Sequence, residues 1–293
     1  MSGDSSLQWE HNNPPEMDDE QFSLWQTAIE VRTGMQLPEQ RRIFLQSSIR
    51  TRMKEIHCDS FQSYYEQLQS GPSSEQEWTV LTDRLTVQET HFFRHPPSFE
   101  LAKEKVKEWF INDPDKKSVQ AWSVGCSTGE EPYSLAITLD EQIQAMHLGK
   151  DHYFGITATD LSMPALNKAN TGIYKEKKVK QQISDTRQKA YFDQLENHNF
   201  QVKPLLRERI CFARINALNL SATPLKDLDI IFCQNMLIYF SRWRRREIVN
   251  HLANRLQVGG VIILGLGEVM DWTNPKLKRV PSDKVLAFMR HCH

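Results

Sequence analysis

The stretch Val119-Gln-Ala-Trp-Ser-Val-Gly-Cys-Ser-Thr-Gly-Glu-Glu-Pro-Tyr-Ser-Leu-Ala-Ile137 decides the fold of this chain. Its first six residues form a short, largely apolar run, which is typical of a strand buried in a parallel sheet. Gly125 then turns the chain, and Pro132 is followed by apolar residues at the spacing of a helix. A strand, a turn and a helix in this order predict an α/β sheet with a ligand crevice at its strand ends.

The glycine spacing of this turn indicates the kind of ligand. Gly125 and Gly129 carry no side chain, so a ligand can approach the backbone N–H groups at the start of the helix. The pattern Gly-Cys-Ser-Thr-Gly is neither Gly-x-Gly-x-x-Gly nor a P-loop, which disfavours a pyrophosphate. Glu130 and Glu131 follow, and carboxylates repel phosphate but favour a cationic or hydroxyl-bearing ligand. S-adenosylmethionine is such a ligand.

Length and composition set the class of protein. The 293 residues exceed one typical domain, and 39% hydrophobic with 25% charged residues is usual for a soluble protein. No apolar run approaches the roughly 18 residues of a membrane span, so no membrane insertion is expected. The net charge of −1 gives no general attraction to nucleic acid. Five cysteines without a Cys-x-x-Cys pair argue against a disulfide framework and a zinc site.

The chain divides into regions of different pattern. Residues 1–16 are rich in Ser, Asp, Asn and Pro and lack a signal core, which predicts a flexible tail on a cytoplasmic protein. Apolar residues at helical spacing predict a small all-helical domain over residues 17–88. Residues 89–293 alternate strands and helices, as a doubly wound α/β sheet does, with a polar insertion of short strands at 172–212. Further strands are predicted at 153–158, 230–233, 261–264 and 285–289.

Polar residues follow two of these strands. Asp160 ends the second strand, where a carboxylate commonly accepts from the ribose of an adenosine cofactor, although it could also be an ordinary helix N-cap. Gln234, Asn235 and Tyr239 come directly after the buried strand at 230–233. Tyr239 could instead be a core tyrosine with a satisfied hydroxyl. The strand ends therefore predict a cofactor crevice lined by these side chains.

Residues 85–97 place two phenylalanines next to Arg94, His91 and His95. An arginine beside aromatic rings suits a carboxylate held near an adenine or a sulfonium, because the guanidinium is a planar fork of donors. The simpler interpretation is a linker that the phenylalanines anchor to the core. A metal site is disfavoured, because the two prolines that follow break the helix that would align the histidines.

Five basic residues occur together on one predicted helix of the N-terminal domain. A solvated basic face is the default interpretation, and docking on an acidic helical partner is the functional one. Nucleic acid is disfavoured because the aromatic residues of single-strand binders are missing. The five residues are Arg41, Arg42, Arg50, Arg52 and Lys54.

Four segments together resemble the CheR family of chemoreceptor glutamate methyltransferases. They are Thr90-x-Phe-Phe-Arg94, Gly125-Cys-Ser-Thr-Gly-Glu-Glu-Pro-Tyr-Ser134, Thr159-Asp160 and Phe232-Cys-Gln-Asn-Met-Leu-Ile-Tyr-Phe240, and the match extends from about Asp19 onward. The resemblance implies a Rossmann-like S-adenosylmethionine-dependent methyltransferase sheet at 89–293. It also implies an N-terminal all-helical domain and an antiparallel β-subdomain inserted in the sheet domain.

The resemblance also implies roles for single residues. Arg94 and Tyr239 belong at the reacting centre, and the basic helix and the insertion face the receptor. Two positions depart from the family. Gln234 stands where the family usually has arginine, and Gln88 stands where it often has asparagine. Both glutamines can still hydrogen-bond, but a positive charge is lost. The implied cofactor contacts are Gln88, Thr90, Arg94, Glu131, Asp160, Asn216, Ala217, Gln234 and Asn235.

The implied reaction is attack of a receptor glutamate on the sulfonium methyl of S-adenosylmethionine, which leaves S-adenosylhomocysteine. The carboxylate is already ionised at pH 7, so no general base and no metal are expected. The expected partner is the cytoplasmic helical region of methyl-accepting chemoreceptors, without nucleic acid, and a monomer is expected. The sequence leaves open whether the pathway serves flagella or type IV pili.

Three alternatives remain open at this stage. A nucleic-acid amino methyltransferase would carry Asp/Asn-Pro-Pro-aromatic after the fourth strand, where this chain has Gln-Asn-Met-Leu. A non-catalytic module that binds S-adenosylmethionine or S-adenosylhomocysteine and a receptor would keep the fold, and Gln234 favours it. A nicotinamide dehydrogenase lacks support because its phosphate-binding glycine pattern is absent.

Overall fold

The computed structural model describes residues 16–70, 73–86 and 89–292, and the chain forms two compact units, residues 1–87 and 88–293. The predicted cofactor contact Gln88 lies outside the described residues, as does nearly all of the predicted tail. Within the described part, no helix is long and apolar enough to cross a membrane.

The first unit is an all-helical domain, as predicted. The domain begins with a capping box, in which the Asp18 carboxylate accepts from Gln21 N and the Gln21 side chain accepts from Asp18 N. Its core contains Trp25, Leu45 and Tyr64, each almost fully buried. In its described residues the helices are α1 (Asp19–Thr33), α2 (Arg42–Glu55), α3 (Phe61–Gln69) and α4 (Ser74–Leu85), and a short 3-10 helix, Glu39–Arg41, precedes α2.

Two of the five basic residues form ion pairs within this domain. Arg52 lies 2.6 Å from Glu77, which also accepts a 2.6 Å hydrogen bond from the Tyr64 hydroxyl. The hydrogen bond from Arg52 holds the pKa of Glu77 below its usual value. Arg42 pairs with Asp19 at 2.7 Å. The set also does not lie on one helix, because Arg41 belongs to the 3-10 helix before α2.

The second unit contains a mostly parallel seven-stranded sheet, which confirms the predicted fold class. Strand order is β6-β2-β1-β7-β8-β10-β9, and β10 runs opposite to the other six strands. The strands of this sheet are β1 (Ser118–Val124), β2 (Tyr153–Asp160), β6 (Ile210–Arg214), β7 (Leu228–Cys233), β8 (Leu256–Leu264), β9 (Leu277–Arg279) and β10 (Leu286–Arg290). The helices packed with it are α5 (Pro96–Asn112), α6 (Glu130–Ala145), α7 (Met163–Thr171) and α11 (Arg242–Ala253).

The strand order positions the site. The chain runs outward from β1 to β2 and β6, and then returns to β7 on the other side of β1. Loops therefore diverge at the carboxyl ends of β1 and β7, which is where doubly wound sheets bind ligands. Because β1, β2, β6, β7 and β8 are parallel, their following loops all meet at one edge of the sheet.

The insertion is a small antiparallel sheet, ordered β3-β5-β4, with three short helices. Its range is shorter than the predicted 172–212, because Ile210–Arg214 pairs with β2 in the large sheet. Alternation of apolar residues does not say which sheet a strand joins. The elements of the insertion are β3 (Ile173–Tyr174), α8 (Glu176–Gln182), α9 (Asp185–Tyr191), β4 (Phe192–Gln194), β5 (Phe200–Val202) and α10 (Pro204–Arg207).

We predict that Arg52→Met lowers the free energy of unfolding of the helical domain by about 2 kcal/mol. This loss lies between those typical of breaking an exposed and a buried ion pair, because the Arg52–Glu77 pair is partly exposed. The change leaves Glu77, only 15% exposed, without its closest cation. Urea unfolding, followed by tryptophan fluorescence, measures this free energy of unfolding. Lys54→Met, an exposed position on the same helix, should change it by less than about 0.5 kcal/mol. Equal effects of the two variants would contradict this assignment.

Candidate active site

The glycine turn, residues 125–129, connects β1 to α6 at the centre of the sheet edge. Gly125 has φ +76°, and a β-carbon there would lie 2.9 Å from Met236 Cγ, in the loop after β7. The N–H groups of Gly125 and Cys126 both donate to the Thr159 carbonyl, at 2.8 and 2.9 Å. The turn is therefore fixed between the ends of β2 and β7.

Asp160 holds the turn through its side chain. Its carboxylate accepts from Ser127 N at 2.8 Å and from Ser162 N at 2.9 Å, and burial raises its pKa above the usual value. Ser127 is in the left-handed region, with φ +49°, and its buried hydroxyl has no hydrogen-bond partner among the described residues. A buried hydroxyl without a partner is costly, so this atom favours a bound polar ligand.

Glu131 is the second carboxylate of the crevice. It lies in the first turn of α6 and accepts a 2.7 Å hydrogen bond from the Ser123 hydroxyl. Burial raises its pKa to about 7, and the nearby Glu268 carboxylate adds to the shift while the Arg94 cation opposes it. The neighbouring Glu130 is fully buried and faces elsewhere, as described below.

Glu268, which the sequence did not single out, organises the loops after β7 and β8. This buried carboxylate accepts from Gly265 N at 2.9 Å and from Ile238 N at 3.3 Å. Burial raises its pKa. Arg245 joins the same loops, since its guanidinium donates to the carbonyls of Ile238, Phe240 and Glu268. The only signal was an acid among glycines after the strand predicted at 261–264.

The other predicted residues after β6 and β7 occupy the same edge. Asn216 caps a 3-10 helix, Ala217–Ala222, by accepting from Leu218 N at 3.0 Å. Asn235 is exposed and has φ +59°, and Tyr239 is half-buried in the 3-10 helix Leu237–Tyr239.

Gln234 has a structural role that the sequence did not indicate. Its amide donates to Ser98 Oγ of α5 at 2.9 Å and to the Leu264 carbonyl at 3.2 Å. These bonds link the end of β7 to α5 and β8. The role of Gln234 as a cofactor contact stays a prediction.

The segment before α5 is held by consecutive backbone amides. Phe92 N donates to Gln182 Oε1 and Phe93 N to Ser134 Oγ, each at 2.9 Å. Phe93 has φ +50°, and the exposed Arg94 donates to the Glu89 carbonyl at 3.0 Å.

The two prolines, Pro96 and Pro97, begin α5 rather than only interrupting a helix. His95 Nδ1 lies 2.8 Å from Ser98 Oγ, and His91 is exposed before the helix. The two histidines therefore do not share a helix. Thr90, another predicted cofactor contact, is half-buried in the same segment.

The donors and acceptors at this edge fit S-adenosylmethionine. Among the described residues the buried Ser127 hydroxyl has no hydrogen-bond partner, and the carboxylates of Asp160 and Glu131 can accept from hydroxyl and ammonium groups. Sheet order and acceptors together define the class of S-adenosylmethionine-dependent methyltransferases.

Comparison with known families narrows this class. The model of the CheR methyltransferase, SAM binding domain, matches residues 88–286, and that of the CheR methyltransferase, all-alpha domain, matches residues 20–86. The chain therefore belongs to the CheR methyltransferase family.

Curated relatives agree with this assignment. The chain is 32% identical to chemotaxis protein methyltransferase Cher2 of Pseudomonas putida, over 87% of this chain and 91% of that protein. It is 31% identical to chemotaxis protein methyltransferase 1 of Pseudomonas aeruginosa, over 85% and 90% respectively. The solved magnesium protoporphyrin IX methyltransferase (ChlM) of Synechocystis covers 70% of this chain and 86% of its own, at 14% identity and a TM-score of 0.35, too distant to inform the site.

We predict that Glu131→Gln stabilises the ligand-free protein above pH 7 by about 2 kcal/mol. With a pKa near 7 against an ordinary value of 4.5, folded Glu131 keeps a proton that the unfolded chain loses. Stability should therefore fall as pH rises from about 4.5 to 7 in the wild type, and fall less in the variant. Thermal unfolding across this range measures the effect, with the exposed Glu196→Gln as control. Identical pH profiles for wild type and Glu131→Gln would contradict the prediction.

Proposed function

We propose that this protein methylates glutamate side chains on the cytoplasmic helical region of methyl-accepting chemoreceptors. The observation that carries the proposal is a cation at the reacting edge. Arg94 is exposed, its backbone segment is fixed by Gln182 and Ser134, and its charge acts on the Glu131 carboxylate. The two curated relatives are named chemotaxis protein methyltransferases, which supports a chemotaxis protein as the methyl acceptor.

The acceptor carboxylate determines what the chain's own residues need to do. It is ionised at pH 7, so no side chain must remove a proton from it. When bound, S-adenosylmethionine supplies a methyl group activated by its sulfonium. The guanidinium of Arg94 is suited to orient the carboxylate through its planar fork. The half-buried ring of Tyr239, in the loop after β7, is suited to form an aromatic wall of this edge, and catalysis then comes from positioning.

The helical domain offers a surface for the receptor, but a smaller one than the sequence indicates. Arg42 and Arg52 pair with acids of their own domain, so they are poor candidates for a partner's carboxylates. Lys54 is exposed, and Ile43 on the same helix is 84% exposed. We infer receptor contact on the face of α2 that carries Ile43 and Lys54, with the protein acting as a monomer in the cytoplasm and without nucleic acid.

We predict that Arg94→Ala and Tyr239→Phe each lower the rate of receptor methylation at least tenfold, because each removes a group that orients a reactant. The assay is transfer of labelled methyl from S-adenosylmethionine to receptor-bearing membranes, followed by release of the label with alkali. Arg279→Ala, an exposed arginine on the edge strand β9, is the control and should retain the rate. Rates within about twofold of wild type for both variants would refute their roles, and alkali-stable label would refute the glutamyl ester.

A further inference from the structure

Glu130 is a fully buried carboxylate that the methyl-transfer chemistry does not use. Its exposed fraction is 0%, and its carboxylate accepts a 2.6 Å hydrogen bond from the Thr128 hydroxyl. Its cation is Lys178, which reaches it from α8 of the insertion, 48 residues along the chain. Removing one partner of a buried ion pair leaves an uncompensated charge, which is strongly destabilising locally.

A second contact from the insertion fixes the same turn. The buried Tyr174 hydroxyl donates to the Thr128 carbonyl at 2.8 Å. The same hydroxyl lies 2.9 Å from the position that a β-carbon on Gly129 would take, and Gly129 has φ +94°. The insertion therefore contacts the turn at three consecutive residues, 128, 129 and 130.

The far end of α8 holds the other side of the crevice. Gln182, one helical turn beyond Lys178, accepts from Phe92 N at 2.9 Å. The Phe92 ring packs against Tyr174, with ring centroids 4.8 Å apart. The next residue, Phe93, is in the left-handed region and precedes Arg94. A non-glycine residue in that region persists only where its surroundings hold it.

We propose that Lys178 and Gln182 are positioning residues, through which the inserted subdomain sets the shape of both the glycine turn and the segment that carries Arg94. The role of Gln182 in methyl transfer rests on the proposed function, whereas the role of Lys178 in cofactor affinity does not. Lys178 governs affinity for the cofactor, and Gln182 governs the rate of methyl transfer.

The first test measures binding of S-adenosylhomocysteine by calorimetry. Lys178→Met should weaken binding about tenfold, and adding Glu130→Gln should restore most of it, because the double variant buries no unpaired charge. Lys180→Met is the matched control, since Lys180 is on the same helix, is 56% exposed and pairs only with Glu176 among the described acids. Affinity within twofold of wild type in Lys178→Met, or no recovery in the double variant, would overturn the role of Lys178. Should Lys178→Met fail to fold, the double variant must fold and bind.

The second test separates binding from turnover. Gln182→Leu should keep the affinity for S-adenosylhomocysteine within about twofold and lower kcat for receptor methylation about tenfold, whereas Gln182→Glu, which keeps an acceptor for Phe92 N, should recover most of kcat. An unchanged kcat in Gln182→Leu would overturn the role of Gln182. Wild-type protein that binds S-adenosylhomocysteine but leaves receptors unlabelled would refute the proposed function, while the Lys178 result would still stand.

Discussion

The structure depends on the glycine turn, which lies between two groups that leave no room for a side chain at Gly125 or at Gly129. On one side, Gly125 meets Met236 from the loop after β7, and on the other, Gly129 meets Tyr174 from the insertion. Both glycines have positive φ, which a side chain would disfavour even without the contacts. This restriction fixes the backbone N–H groups of the turn relative to the strand ends. The loops after β2, β6 and β7 then arrange around a turn of fixed shape.

The crevice gathers more negative charge than a fold needs for its own stability. Asp160, Glu131 and Glu268 are buried or half-buried, and burial raises the pKa of all three. Arg94 offsets part of this charge at Glu131. Sites of this kind cost stability in the absence of ligand and recover it when a cationic or hydroxyl-bearing ligand binds. The electrostatics and the turn geometry therefore favour the same class of ligand.

The sequence predicted what local pattern determines and missed what tertiary packing determines. The strand before Gly125 and the carboxylate at Asp160 were found because parallel strands bring their carboxyl ends together. The sequence places Lys178 only within the polar insertion, because nothing nearby in sequence reveals a buried acid 48 residues away. Glu268 was missed for the same reason. The role of Arg52 in a partner surface stays a prediction, and its ion pair with Glu77 was not apparent from the sequence because Glu77 lies on another helix.

Hydrogen exchange with and without S-adenosylhomocysteine tests whether the glycine turn and the insertion respond to the cofactor as one unit. We expect slower exchange of the amides at 125–131 and 160–162, and also in α8, which contacts the turn through Lys178, and at Phe92, which Gln182 of α8 holds. Protection confined to the turn, with α8 unchanged, would contradict the coupling. Protection absent from the turn itself would contradict the site.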